Sequence, residues 1–452
     1  MKSINPYNNK IIREYKKHSF TELDDKIRSS ALAFGDWSKR SIKERCELMR
    51  NVAKVLRNKK DGLGQLITLE MGKLIGESVA EIEKCAWVCE YYADHAPSHL
   101  EDVIIETDAS RSFVGFEPLG VVLAVMPWNF PFWQVFRFAA PALIAGNTAL
   151  LKHASNVPGC ALAIEEVFVE AGFPPNVFNT LLIPSAMVQT VIRNKLVKAV
   201  TLTGSEHAGS KVAEQAGQEI KKQVLELGGS DPFVVLKDAN LEKASETAVK
   251  ARMINAGQSC IAAKRFILEK DIYDEFLERT KALFQKLGCG DPMKESTTVA
   301  PLARPDLVDD IERQVNESVE AGAELLSGGR KAGESGNFYE PALMVNVEPD
   351  MTAFKEETFG PLMPLVRASS EKHAIQLANH SSFGLGASLW TSDQQKAQQL
   401  ARDIQAGSVF INGLVKSDPR IPFGGIKKSG YGRELSQFGI REFVNVKTVW
   451  MA

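Results

Sequence analysis

The stretch Gly120-Val121-Val122-Leu123-Ala124-Val125-Met126, which runs directly into Pro127-Trp128-Asn129-Phe130-Pro131, decides the fold. The first part is apolar without alternation, so both faces of the strand it forms are covered. That is the pattern of a strand inside a parallel sheet. The second part is a turn, set by its prolines and Asn. Moving outward, further strands are predicted at Thr148–Lys152, Val177–Leu182, Ala199–Thr203 and Gln223–Leu227, with helical stretches at Cys160–Glu170 and Ala208–Ala216 between them. Strand alternating with helix predicts a doubly wound α/β domain. Ligands bind such sheets beyond the carboxyl ends of the strands, which draws attention to the residues that follow each strand.

A second α/β region runs from about Pro232 to Gly425, with strands near Phe233–Leu236, Lys264–Leu268, Pro364–Arg367 and Ser408–Asn412. Upstream, Thr21 to Ala96 reads as amphipathic helices. Cys85 and Cys89 lie one helical turn apart there, but no further ligands follow at useful spacing, so they read as helix packing and no metal site is expected. Glu101 to Phe116 alternates and turns near Asp108–Ser110, a long hairpin. The tail Glu442–Trp450 alternates as well, and pairing it with the hairpin would extend a sheet across a subunit boundary, so an oligomer is expected.

The 452 residues carry 54 Lys and Arg against 56 Asp and Glu, a net charge of -2. No basic excess points to nucleic acid or an anionic membrane. Apolar stretches such as Gly120–Trp128 stop short of a membrane span. The basic start lacks the apolar run of a signal peptide, and six scattered cysteines do not form a disulfide framework. A cytoplasmic enzyme is the expectation.

Several residues carry possible chemistry. Cys260 closes Asn255-Ala256-Gly257-Gln258-Ser259-Cys260. A single Cys is usually an inert buried residue, yet here a Gly that permits close backbone approach precedes it, as for a nucleophile on a turn. Glu226 leaves an apolar strand for Gly228-Gly229. It reads either as a salt-bridged strand end or as a general base raised by desolvation. Asn129 reads as a turn residue or as an amide aimed at an oxyanion. Thr203-Gly204-Ser205 opens a helix whose first N–H groups suit one phosphate, although Ser210 stands where a P-loop requires Lys. Lys152, at a strand end, suits ribose or phosphate, or is simply solvated.

Taken together, PWNFP, LK, TGS, ELGG, GQSC, EETFGP and PFGGIKKSGYGRE stand in an order and spacing that resemble the aldehyde dehydrogenase superfamily over essentially the whole chain. The resemblance implies a Rossmann-like NAD(P)-binding domain at 1–100 and 119–228, with 430–440 packing back on it. It implies a catalytic domain at 229–429 and a small oligomerisation β element at 101–118 and 441–452. It implies NAD or NADP as cofactor, an aldehyde as substrate and a homodimer or homotetramer. Cys260 matches the family nucleophile, which forms a thiohemiacetal whose oxyanion is held by Asn129 and the Cys260 N–H. Hydride then leaves for the nicotinamide, and Glu226 activates water against the thioester. Trp128, Lys152, Ser155, Gly204, Ser205, Leu227, Glu357 and Phe359 match cofactor-contacting positions.

Two departures from the family pattern stand out. Ser155 occupies the place where many NAD-specific members carry the Glu that grips the adenosine ribose, so use of both cofactors is implied. Phe138 replaces a Lys that some members use in a proton relay, which leaves a relay through Glu434 without that residue. For the substrate, Arg137 and Ser417 match positions where succinate-semialdehyde dehydrogenases bind the substrate carboxylate. The second Arg of those enzymes is Ile254 here, with Arg420 or Lys416 as possible substitutes beside Phe423. The LKHASN and AAKRF wording is similar to the short bacterial succinate-semialdehyde dehydrogenases that use NAD(P). A broad-range aliphatic or aromatic aldehyde dehydrogenase, or a non-catalytic homologue, are the alternatives.

Overall fold

The computed structural model describes residues 1–333 and 335–452. The apolar strand of the opening stretch is Val121–Met126, at the centre of a six-stranded sheet. Across that sheet the order is Gly430–Tyr431, Lys222–Glu226, Val197–Thr203, Val121–Met126, Thr148–His153 and Phe178–Thr180. All neighbours pair in parallel except Gly430–Tyr431, an antiparallel edge on Leu225 and Glu226. Val122, Leu123 and Ala124 are fully buried, each large apolar side chain contributing about 1.5–3 kcal/mol relative to exposure. The helix Trp133–Ile144 is buried at every position and packs over this sheet, which explains its unbroken apolar sequence.

Chain order places the switch point of the sheet. From Val121–Met126 the chain builds outward on one side through Thr148–His153 and Phe178–Thr180. It then returns to the other side as Val197–Thr203. The loops after Met126 and Thr203 therefore diverge at the carboxyl edge and open a crevice.

A second sheet has seven strands in the order Glu324–Ser327, Ala342–Val345, Leu362–Ala368, Arg265–Glu269, Pro232–Val235, Gly386–Trp390, Ser408–Ile411. Only its first pair is antiparallel. The sequence reading missed three of these strands, Glu324–Ser327, Ala342–Val345 and Gly386–Trp390. Gly386–Trp390 contains Gly, Ala and Ser, which have weak strand preference, and its five residues are buried through contacts made from both neighbours. Glu226 ends one sheet and Pro232 begins the other, so the short connection between them carries the carboxyl edge of the first to the amino edge of the second.

The hairpin and tail form a separate three-stranded antiparallel sheet, Val444–Met451, Arg111–Pro118, Val103–Ile104. The expected pairing of tail and hairpin is present within the chain. The register runs unbroken from Val444 on Pro118 to Met451 on Arg111. Among the described residues no helix is long and apolar enough to cross a membrane, and no group of His, Cys, Asp and Glu is arranged to hold a metal ion.

Candidate active site

The loop that bears Cys260 is held in an unusual backbone path. The helix Leu241–Met253 stops, and Asn255, Ala256 and Gly257 all take positive φ, 52°, 52° and 78°. Non-glycine residues in that region cost about 1–3 kcal/mol each and persist only where surroundings fix them. Here the surroundings are plain. The Asn255 N–H donates to Glu77 (3.0 Å), and its side-chain amide donates to the carbonyls of Asn129 (2.8 Å) and Gln258 (3.2 Å). Any side chain at Gly257 would collide with the Gly360 carbonyl and the Arg252 guanidinium. Fully buried Arg252 donates to the carbonyls of Gly257 (2.8 Å), Thr358 (3.1 Å) and Gly360 (2.6 Å), clamping the Cys260 loop to the loop that holds Glu357 and Phe359.

Lys264 makes a second clamp. Its ammonium donates to the carbonyls of Ser259 (2.9 Å) and Cys260 (2.8 Å) and pairs with Glu357 at 3.3 Å. Glu357 also accepts the Gly229 N–H at 3.0 Å, so the strand connection, the nucleophile loop and the Glu357 loop meet at one carboxylate. Sequence reasoning assigned no role to Arg252 or Lys264. Nothing in their local sequence separates them from surface cations, because their function depends on carbonyls far along the chain.

Asn129 arrives on the turn after the central strand. One of its side-chain N–H groups donates to the Gln258 carbonyl at 3.1 Å, beside Cys260. The other remains free to meet an oxyanion, and so does the Cys260 backbone N–H, which has no partner among the described residues. Glu226 stands at the strand end, 2% exposed, with neither carboxylate oxygen hydrogen-bonded. Burial, reinforced by Glu434 and opposed by Arg137, pushes its carboxyl well above the usual range. A Cβ at Gly424 would lie 2.7 Å from Glu226 Oε1, so only glycine leaves that carboxyl its room. The Cys260 thiol is pushed up to about 12 by burial, against the pull of Arg137 and Lys264.

Two clefts meet at the thiol. One, of 260 Å³, is walled by Trp128, Gly204, Ser205, Leu227, Glu357 and Phe359, with Cys260 and Asn129 at its inner end. The Trp128 and Phe359 rings meet edge to face, their centroids 5.8 Å apart. Ser205 caps the helix Glu206–Gln218, accepting the Ala208 N–H at 3.3 Å. Lys152 and exposed Ser155 stand at and just beyond the end of the adjacent strand, with the Lys152 ammonium 3.3 Å from the Ser185 hydroxyl and no carboxylate in ion-pair range among the described residues. The other cleft, of 240 Å³, is lined by Phe130, Trp133, Arg137, Ser417 and Phe423 together with Cys260 and Lys416.

Not every expected substrate residue sits as anticipated. Arg420 is outside the cleft: its side chain is 66% exposed, paired with Asp418 at 2.7 Å and laid over Trp87. The Pro419–Arg420 turn directs it back along its own loop, so the expectation that it contacts substrate is corrected. Arg137 does line the cleft, over the Phe423 ring at 4.6 Å, but its guanidinium is already ion-paired with buried Glu434. Two residues absent from the sequence reading, Lys84 and Glu77, enter the same cleft from the helix Ile75–His99.

Residues 1–449 match the aldehyde dehydrogenase family. The chain is 51% identical over 450 residues to a probable NADP-dependent succinate-semialdehyde dehydrogenase of Synechocystis, covering 100% of this chain and 99% of the relative. It is 45% identical to the NAD(P)-dependent succinate-semialdehyde dehydrogenase of Escherichia coli, over 99% and 97% of the two chains. Among solved structures, the succinic semialdehyde dehydrogenase of Streptococcus pyogenes in complex with NADP+ superposes with a TM-score of 0.98 at 38% identity, over 100% and 99% of the chains. With a family match over nearly the whole chain and relatives this similar along their full length, the chain belongs to the aldehyde dehydrogenase family.

Proposed function

We propose that the enzyme oxidises succinate semialdehyde to succinate with NAD or NADP, through a thioester on Cys260. The single observation that carries this reading is the position of Cys260 in the wall of both clefts, one suited to a dinucleotide and the other to a short aldehyde with an anionic end.

The residues of the first cleft fit a dinucleotide. The capped start of the helix Glu206–Gln218 leaves N–H groups for a phosphate. Lys152 is largely buried, with no carboxylate in ion-pair range among the described residues, which suits a ribose hydroxyl or a phosphate. Ser155 presents no carboxylate against a 2′-phosphate, so both cofactors fit. Glu357 and Leu227 would flank the nicotinamide half. When bound, the nicotinamide accepts the hydride released from the aldehyde carbon.

The chain's own residues do the rest. Cys260 reacts as its thiolate, the thiol proton passing to solvent, and Sγ attacks the aldehyde carbon while the developing oxyanion is met by the Asn129 side-chain N–H and the Cys260 backbone N–H. One such donor is worth about a hundred- to a thousand-fold in rate. Loss of hydride leaves the acyl group on sulfur. Glu226 then takes a proton from water as that water attacks the thioester, releasing the carboxylate and restoring the thiol. A carboxyl raised by burial is a stronger base once ionised, which suits this step.

A neutral-aldehyde preference is the second reading, favoured by the pairing of Arg137 with Glu434 and by the aromatic wall of Phe130, Trp133 and Phe423. The two are separated by a panel of succinate semialdehyde, glutarate semialdehyde and butanal, each with NAD and with NADP. The proposal expects succinate semialdehyde to have the highest kcat/KM, by about tenfold or more over butanal. Equal values would transfer the lead to the broad-range reading.

We also infer that the chain self-associates, as a dimer or a tetramer, through its three-stranded sheet. Ile104, Ile105, Val446 and Trp450 are 45% to 60% exposed there, and Val444–Met451 ends the sheet as an unpaired edge among the described residues.

A further inference from the structure

We propose that Lys84, and not Arg137, is the residue that holds the distal carboxylate of the substrate, with the Ser417 hydroxyl as its second donor. The proposal rests on reading the 240 Å³ cleft as the aldehyde pocket.

Three observations point to it. First, the cations at this pocket differ in what already neutralises them. Arg137 is paired with Glu434, Lys73 and Lys264 behind the wall are paired with Glu81 and Glu357, and Lys416 is exposed to solvent. Lys84 reaches the same cavity from the helix Ile75–His99 and has no carboxylate in ion-pair range among the described residues. Its ammonium lies 4.1 Å from the centre of the Trp133 ring, largely removed from water. A desolvated cation without a counter-ion is costly until an anion arrives.

Second, the hydroxyl beside it is set as a donor. Ser417 Oγ accepts from Lys84 Nζ at 2.8 Å and from Trp133 Nε1 at 3.0 Å. A hydroxyl has two acceptor positions and one hydrogen. Both acceptor positions are taken, so the hydrogen is left to donate, and Ser417 faces the cavity. The lysine retains further N–H donors of its own. Two convergent donors and one uncompensated charge are what a carboxylate requires.

Third, the acidic residues in the wall do not oppose an anion. Glu81 is neutralised by Lys73 and also accepts the N–H groups of Phe132 (2.8 Å) and Trp133 (2.9 Å). Glu77 accepts the Asn255 N–H, and burial holds its carboxyl above the usual range, favouring the neutral form. Asp418 is paired with Arg420.

The ammonium itself is pushed down to about 8, chiefly by burial and then by the nearby charge of Arg137, while Cys85, Glu81 and Asp418 act in the opposite direction. Lysine holds its charge below that value and loses it above. Carboxylate binding therefore weakens as pH rises through about 8, and binding of a neutral aldehyde does not follow it.

The test compares the full-length enzyme with Lys84→Met and Lys84→Arg, using succinate semialdehyde and butanal, and measures binding of succinate alone by calorimetry. Lys84→Met is expected to raise KM for succinate semialdehyde about thirty-fold or more, with most of the effect in KM rather than kcat. Its kcat/KM loss should exceed that for butanal at least about tenfold, and succinate binding should be lost. Lys84→Arg should keep the preference and remove the decline in kcat/KM above about pH 8. Equal losses for both aldehydes, or unchanged KM and succinate binding in Lys84→Met, would overturn the assignment. If instead the unaltered enzyme shows no preference for succinate semialdehyde over butanal, it is the proposed substrate that fails. A preference that survives in Lys84→Met fails Lys84 alone.

Discussion

At Cys260 the local electrostatics run against the chemistry. A nucleophilic sulfur needs its proton removed, yet burial pushes this thiol to about 12, and burial also raises the Glu226 carboxyl well above its usual range. Both groups ionise more as pH rises, so reactivity grows toward alkaline pH. Inactivation of the cofactor-free enzyme by iodoacetamide is expected to speed up about tenfold per pH unit between about pH 7 and pH 9.5, without levelling. A rate that flattens by about pH 8.5 would mean that the thiol is ordinary. Loss of activity is the readout, since Cys289, the exposed cysteine of the chain, would otherwise consume reagent as well. The sequence named Cys260, Glu226 and Asn129 because each follows a strand or a glycine turn in a recognisable order. It did not name Lys84, since a lysine in Glu83-Lys84-Cys85 gives no sign of which helix face meets an aromatic ring from another helix.

The loops that cross between elements set specificity. Ser155 lies just past the strand Thr148–His153, three residues after Lys152, where a carboxylate would oppose a 2′-phosphate. Ser155→Glu is expected to lower kcat/KM with NADP about tenfold or more relative to NAD, through like-charge repulsion and a new acceptor for the ribose. An unchanged ratio would assign discrimination to other residues. At this scale the chain was legible where apolar runs were long, as in Val121–Met126, and opaque where tertiary contacts decide. Asn255 and Ala256 adopt left-handed backbone without any glycine to announce it, because Glu77, Asn129 and Arg252 hold them from outside the loop. Gly386–Trp390 was missed for the related reason that its burial is supplied by neighbours.

For the whole molecule, the decisive feature is that the carboxyl edge of one sheet faces the amino edge of the other, joined through Glu226-Leu227-Gly228-Gly229. The dinucleotide cleft belongs to the first edge, the nucleophile loop precedes the strand Arg265–Glu269 of the second, and the thiol is presented where they meet. Two α/β regions were readable from alternating elements; their face-to-face arrangement was not, because it depends on clamps such as Lys264 on the Cys260 carbonyl. The proposed mechanism passes through a covalent acyl intermediate whose formation and hydrolysis use different residues. The most direct measurement is mass spectrometry of Glu226→Gln quenched after mixing with succinate semialdehyde and NADP. The account predicts one succinyl group on the peptide that contains Cys260 and a burst of one equivalent of NADPH followed by slow turnover, with neither in Cys260→Ala. Turnover by Glu226→Gln at the unaltered rate with no acylated Cys260 peptide would contradict it.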